Sequence, residues 1–179
     1  MSDLNFSLHP FGLTGPEVDL SITGQISRRA QTLAIRYVLV GRLAEVAMPA
    51  PAAAPARRRG LWEETCFEFF LGLQDSPGYW EFNLSPAGTW NVYRFSGYRQ
   101  GMTEEPAFTS LPFDLQKRPD SWRLALEVDL SRIVPSGRAL EVGVAAVVKL
   151  RDGRASYWAL SHPGSRPDFH RREGFSINM

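Results

Sequence analysis

"YWEFNLSPAGTWNVYRFSGYR", residues 79–99, interleaves aromatic rings with a carboxylate, two amides and two arginines. In an extended chain successive side chains face opposite sides, so Trp80, Phe82 and Leu84 share one face while Tyr79, Glu81, Asn83 and Ser85 share the other. The turn decides how the next strand joins each face. Ser85, Pro86 and Gly88 occupy the positions that a type I turn favours, with the glycine free to take positive φ and close a bulge. A loop of Pro86, Ala87 and Gly88 then pairs Ser85 with Thr89, Asn83 with Asn91 and Glu81 with Tyr93, and on the other face Leu84 with Trp90, Phe82 with Val92 and Trp80 with Arg94. A slip of one residue would place the Asn91 amide among Trp80 and Phe82, where it would need a buried partner.

The same alternation extends outward. Before the hairpin, Thr65, Phe67, Phe69 and Leu71 fall on one face and Glu64, Cys66, Glu68 and Phe70 on the other. Further short runs rich in aromatic and β-branched residues lie at 18–27, 31–40, 121–130, 140–150 and 155–161, each bounded by Gly, Pro, Ser or Asp. Trp122, Leu124, Leu126, Val128 and Leu130 alternate with polar residues, as a half-buried strand does. The nearly unbroken apolar stretch 140–148 is expected to be a central strand covered on both sides. Asp152-Gly153 joins it to the following run as a hairpin signal. No long segment shows helical periodicity with caps at both ends. These features predict an all-β chain folded as an antiparallel β-sandwich of jelly-roll or immunoglobulin-like type.

The chain has 179 residues, 44% hydrophobic and 22% charged, with formal net charge +1, the profile of one domain spanning 1–179. Cys66 is the only cysteine, so no internal disulfide exists. The near-neutral balance offers no general attraction to nucleic acid, and no stretch approaches the roughly 18 apolar residues of a membrane-spanning helix. "MSDLNFSLHPFG" lacks a basic segment followed by an apolar one, so a cytoplasmic location is expected. Residues 48–60, "MPAPAAAPARRRG", read as an Ala/Pro-rich, mobile surface loop whose prolines exclude regular pairing.

If the strands carrying Glu68 and Glu81 are neighbours, Glu64, Glu68, Glu81, Asn83, Asn91 and Tyr93 collect on one polar face flanked by rings. For each residue alone, a solvated outer surface is the simpler reading. Together, acceptors, amides and flat apolar rings suit a polyhydroxylated ligand, with Arg94 as a further polar contact. Other chemistries compete. His162, Asp168 and His170 are weak metal candidates, since a third ligand from elsewhere is needed. Glu64, Glu68 and Glu81 could supply an acid and a base for glycoside hydrolysis. A structural or partner-binding domain with a merely solvated polar face is the principal alternative.

"LWEETCFEFFLG", "YWEFNLSPAGTWNVYRFSGYRQGM" and "YWALSHPGSRPDFHRREGF" resemble the DOMON-like proteins related to family 9 carbohydrate-binding modules, over residues 61–175. The resemblance implies a β-sandwich and a non-catalytic module binding a carbohydrate or other small polar ligand. It further implies Trp62 as a stacking platform and Glu68, six positions later, as an acceptor of sugar hydroxyls. A second stacking ring is also implied, with Trp90, Trp158 and Phe169 as candidates. Some such modules carry structural calcium, although no EF-hand-like loop stands in this chain, and no cofactor is otherwise evident. True DOMON domains include haem binders with His and Met ligands, which makes His9, His162, His170 and Met102 relevant to a minority haem reading.

Overall fold

The computed structural model describes residues 3–12 and 19–179. Val18, the first residue of the expected strand at 18–27, lies outside the described residues. The strands, in chain order, are β1 (Leu4–Pro10), β2 (Leu20–Arg29), β3 (Thr32–Gly41), β4 (Cys66–Leu73), β5 (Tyr79–Leu84), β6 (Trp90–Phe95), β7 (Thr103–Glu104), β8 (Phe113–Lys117), β9 (Ser121–Asp129), β10 (Leu140–Lys149), β11 (Ala155–Ala159) and β12 (Ile177–Asn178). Among the described residues the only helical pieces are three short 3-10 turns, and no helix is long and apolar enough to cross a membrane.

One sheet runs β8-β9-β3-β2-β1 and the other β11-β10-β4-β5-β6-β7, with β12 added beside β10. Strand β1 links them: Leu4 to Leu8 pair with β2, while His9 and Pro10 pair with β11. The antiparallel sheet therefore folds over on itself into a sandwich. Its inner faces meet around Phe67, Phe69, Phe82 and Trp90 from one side and Ile22, Ile35, Tyr37, Leu124 and Leu126 from the other. Phe69 and Phe82 stack at 4.4 Å, and the Tyr37 hydroxyl, inside this core, donates to the Glu68 carbonyl at 2.7 Å. Burying each such large apolar side chain stabilises the fold by about 1.5–3 kcal/mol.

The hairpin has the register that its turn demands: Asn83 lies opposite Asn91, Glu81 opposite Tyr93 and Leu84 opposite Trp90. Gly88 takes φ of 92° and donates its N–H to Ser85 at 2.9 Å, the positive-φ position that a Cβ would strain. Strand β4 is the neighbour of β5, with Glu68 opposite Asn83 and Phe70 opposite Glu81. Strand β10 is central, paired with β4 and β11 and buried on both faces, and β9 alternates buried and exposed residues. The strands without a sequence signal are short, at an edge or thinly buried. In β1 only Phe6 and Leu8 are buried, and β7 and β12 have two residues each.

The Ala/Pro-rich loop departs from expectation. Residues 48–60 are mostly exposed, yet the non-proline positions are used: Ala52 N–H donates to Ala87 O at 3.0 Å, Trp90 N–H to Ala56 O at 3.0 Å and Arg58 N–H to Trp90 O at 2.9 Å. Prolines exclude a full ladder but not alternate bonds along the start of β6. Arg57 anchors the loop. Its guanidinium donates to Asn91 Oδ1 at 2.6 Å, to Glu105 O at 3.0 Å and to Phe108 O, and lies 4.5 Å from the Trp90 ring centre.

Arg57→Ala would strip these acceptors of their donor, so a loss of about 2–4 kcal/mol in unfolding free energy is expected from urea denaturation. Arg57→Lys should recover only part, because an ammonium lacks the fork that spans carbonyls on separate segments. A loss below about 0.5 kcal/mol, the scale of an ordinary surface substitution, would show that the loop is not anchored this way.

Candidate functional site

The outward face of the larger sheet carries an unusual mixture. Neighbouring strands place Ala145, Glu68, Asn83 and Asn91 in one row and Gly143, Phe70, Glu81 and Tyr93 in the next. Glu68 and Glu81 are thus diagonal neighbours on adjacent strands, close enough for their charges to interact. A bare sheet face would solvate both. Here Glu68 is 3% exposed, Glu81 4% and Asn83 0%, because the segment after β11 crosses the face and covers it.

Two glycines admit that crossing segment. The Arg172 guanidinium lies where a Cβ on Gly72 would stand, 2.1 Å from its Cζ, and the Phe175 ring lies over Gly143. Arg172 donates to Glu141 Oε2 at 2.6 Å, to Gly78 O at 3.3 Å and to Leu73 O, clamping the segment to β10 and to the end of β4. Further along, Asp168 accepts from the Tyr98 hydroxyl, from Arg99 Nη2 at 2.9 Å and from the His170 N–H at 3.2 Å. Arg99 itself has φ of 53°, a left-handed backbone rare for a side-chain-bearing residue, and directs its N–H to the Tyr79 hydroxyl at 3.2 Å.

Between sheet and segment lies a cavity of about 370 Å³. Its floor holds Glu68, Glu81 and Val147; Trp62, Phe95, Tyr157 and Phe169 wall it; Arg99, Met102, Pro167 and His170 complete the lining. Trp62 is 39% exposed and packs edge-on to Tyr93 at 5.7 Å.

The polar groups form a partly closed network. Asn83 Nδ2 donates to Glu81 Oε1 at 2.7 Å, and the Cys66 thiol points to Asn83 Oδ1 at 3.5 Å. Glu81 Oε2 lies 3.8 Å from His170 Nε2, while His170 Nδ1 is 2.8 Å from the Tyr79 hydroxyl. That hydroxyl already accepts from Arg99, which leaves its proton for Nδ1 and puts the ring hydrogen on Nε2, toward Glu81. Glu68 Oε1 is buried with no partner among the described residues.

Burial governs the ionisation here. Desolvation, and then the nearby Glu81 charge, pushes the Glu68 carboxyl well above the ordinary carboxylate range. Desolvation likewise raises Glu81 to about 7, against the opposing hydrogen bond from Asn83 and the charge of Arg99. His170 moves the other way, to about 4, through burial and then Arg99, so its imidazole is neutral at pH 7. The Cys66 thiol is raised well above its usual value, chiefly by burial, and is no nucleophile near neutrality.

The structure brings some of the expected site residues together and separates others. Trp62, Glu68 and Glu81 line the cavity; Asn83 sits behind Glu81, and Tyr93 beside Trp62. Asn91 is spent on the loop: it accepts from Arg57 and donates to Arg58 O at 3.1 Å, Tyr93 Oη at 2.9 Å and Glu104 Oε1 at 3.1 Å. Glu64 pairs with Arg58 at 3.2 Å and does not line the cavity. Arg94 stands exposed opposite Trp80, on the other face of the strand from Glu81, as its position in the alternation requires.

Of the candidate second rings, Trp90 and Trp158 are buried in the sandwich core, and Phe169 reaches the cavity. The metal candidates are dispersed: His162 contacts His9 O at 2.8 Å, and Asp168 is engaged by Tyr98 and Arg99. Among the described residues no group of three or more His, Cys, Asp or Glu is placed to hold a metal ion. Tyr79, Phe95, Arg99 and Tyr157 were not among the expected site residues. Tyr79 shares the face of Glu81 by alternation, and the glycines at 72 and 143 were the signal that another segment packs against the sheet.

No protein-family model and no curated protein matches the chain. Solved structures do. A candidate carbohydrate-binding protein from Bacteroides uniformis is similar over 97% of this chain and 84% of its own, with TM-score 0.71 and 17% identity. A family 9 carbohydrate-binding module from Caldicellulosiruptor kristjanssonii, in complex with cellotriose, is similar over 90% of this chain and 74% of its own, with TM-score 0.54 and 11% identity. At these identities the likeness is one of fold: the chain has the β-sandwich architecture of carbohydrate-binding modules.

Proposed function

We propose that the chain is a non-catalytic binding module that holds a saccharide, or a closely similar small polar ligand, in the cavity between the larger sheet and the segment that covers it. The observation that carries this reading is Glu68 Oε1, a buried oxygen without a partner at the floor of an aromatic-walled cavity. An unmade hydrogen bond of this kind costs about 1–3 kcal/mol, and a ligand hydroxyl reaching the floor would recover it. The protonated Glu68 carboxyl can donate as well as accept, which matches a hydroxyl's own dual capacity.

The remaining groups fit the same ligand. Trp62 offers an exposed ring face for sugar C–H groups, with Phe169 on another part of the wall, and Glu81 is held in orientation by Asn83. A volume of about 370 Å³ lies within the roughly 300–1,000 Å³ of small-molecule sites. The sandwich fold shared with saccharide-binding modules supports the reading without naming the sugar.

A thermal-shift screen with glucose, cellobiose and other mono- and disaccharides should reveal a ligand that raises the melting temperature, since binding to the folded chain alone stabilises it. Trp62→Ala should weaken the best hit at least tenfold by calorimetry, about 1.4 kcal/mol. Wild-type affinity in that variant would remove Trp62 from the site, and no response to any saccharide would leave a structural domain.

The buried carboxyls also carry a pH signature. Glu81 binds its proton in the folded chain up to about 7, above the ordinary 4.5 that it regains on unfolding, so its contribution to stability is present below about 4.5 and is lost as pH rises toward 7. His170 has the opposite sign: its folded value of about 4 lies below 6.5, so its contribution is gained as pH rises between those values. Glu81→Gln keeps an acceptor for Asn83 and removes the first effect, together with the part of the Glu68 shift that the Glu81 charge causes, which has the same sign. Its stability relative to wild type should therefore rise by about 2 kcal/mol between pH 5 and pH 7, measured by urea denaturation. A flat difference would mean that Glu81 is solvated.

A further inference from the structure

We propose that the cavity selects a ligand bearing a protonated amine, such as a 2-amino-2-deoxy sugar, over its neutral counterpart. This inference rests on the saccharide reading above and narrows it. Two carboxyls, Glu68 and Glu81, stand on the cavity floor, contributed by adjacent strands. Among the described residues, the only side-chain cation in the lining is Arg99, and its guanidinium is taken by Asp168 at 2.9 Å, with Arg171 also near that carboxylate at 3.9 Å. His170 faces Glu81 as a neutral ring whose Nδ1 is held by Tyr79. The phenols of Tyr79, Tyr93 and Tyr157 and the Cys66 thiol also stand on this face and supply no positive charge, and Glu141, farther along β10, is taken by Arg172.

The lining thus contains two acids that share one cation, Arg99, itself paired with Asp168, and one of the acids has an oxygen with no partner among the described residues. Around them stand the faces and edges of Trp62, Phe95, Tyr157 and Phe169 and the thioether of Met102. Carboxylates beneath aromatic walls form the environment in which an ammonium is held by charge and by ring faces together. A neutral hydroxyl satisfies one oxygen and brings no charge that would favour ionisation of the acids. An ammonium donates up to three hydrogen bonds, so it can reach both carboxyls and let them ionise against it.

Calorimetric titration of wild-type protein with glucosamine, glucose, N-acetylglucosamine and cyclohexylammonium at pH 7 separates the outcomes. Glucosamine should bind at least tenfold more tightly than glucose or N-acetylglucosamine, and the preference should shrink at pH 5, where protons compete for the same carboxyls. In Glu68→Gln the ratio of glucosamine to glucose affinity should fall toward one. Glucose binding as tightly as glucosamine in the wild type would overturn the inference and leave the saccharide module standing. Binding of cyclohexylammonium with no response to any sugar would sustain the cation preference and end the saccharide reading. No binding by any of the four would end both.

Discussion

The interaction on which the site depends is the clamp made by Arg172. Its guanidinium occupies the space left by Gly72 and bonds Glu141, the Gly78 carbonyl and the Leu73 carbonyl, drawing three parts of the larger sheet to one side chain. Phe175 over Gly143 adds an apolar seal next to Phe70 and Tyr79. Without this docking, Glu68, Asn83 and Glu81 would lie on an ordinary solvated sheet face. With it, the same residues are buried at the floor of a cavity, and their electrostatics follow from that position rather than from their identities alone.

The consequence is a graded set of ionisations within a small space. Burial raises both carboxyls and lowers the imidazole, while the single nearby guanidinium is balanced by Asp168. The two acids therefore hold their protons to higher pH than solvated carboxyls do, yet can ionise against a suitable partner. Such an arrangement stores interaction energy for a ligand. The hydrogen bonds from Asn83 to Glu81 and between Tyr79 and His170 hold it in shape.

Much of this architecture is legible in residues 79–99. The alternation of Trp80, Phe82 and Leu84 against Glu81 and Asn83, with a turn ending in Gly88, specifies the register that places Glu81 and Tyr93 opposite each other. The apolar run at β10 likewise announces a central strand. Gly72 and Gly143 mark a close approach to this face, but which segment covers it was not legible, because Tyr79 meets His170 across a separation of 91 residues and nothing local encodes that meeting. Nor was the role of Asn91: its face is correctly given by alternation, but its amide serves Arg57 from a loop whose prolines read as unpaired. Arg94 shows the converse. Its parity already set it apart from Glu81, and the structure keeps it there.

The central claim, that the covered face holds two carboxyls out of water, is tested most directly by a pH titration of the side-chain carboxyl ¹³C resonances of the glutamates in the intact chain. Assigned through Glu68→Gln and Glu81→Gln, the resonance of Glu81 should titrate near 7 and that of Glu68 well above the ordinary carboxylate range. Both resonances titrating within the ordinary carboxylate range would contradict the buried site and the ligand chemistry inferred from it.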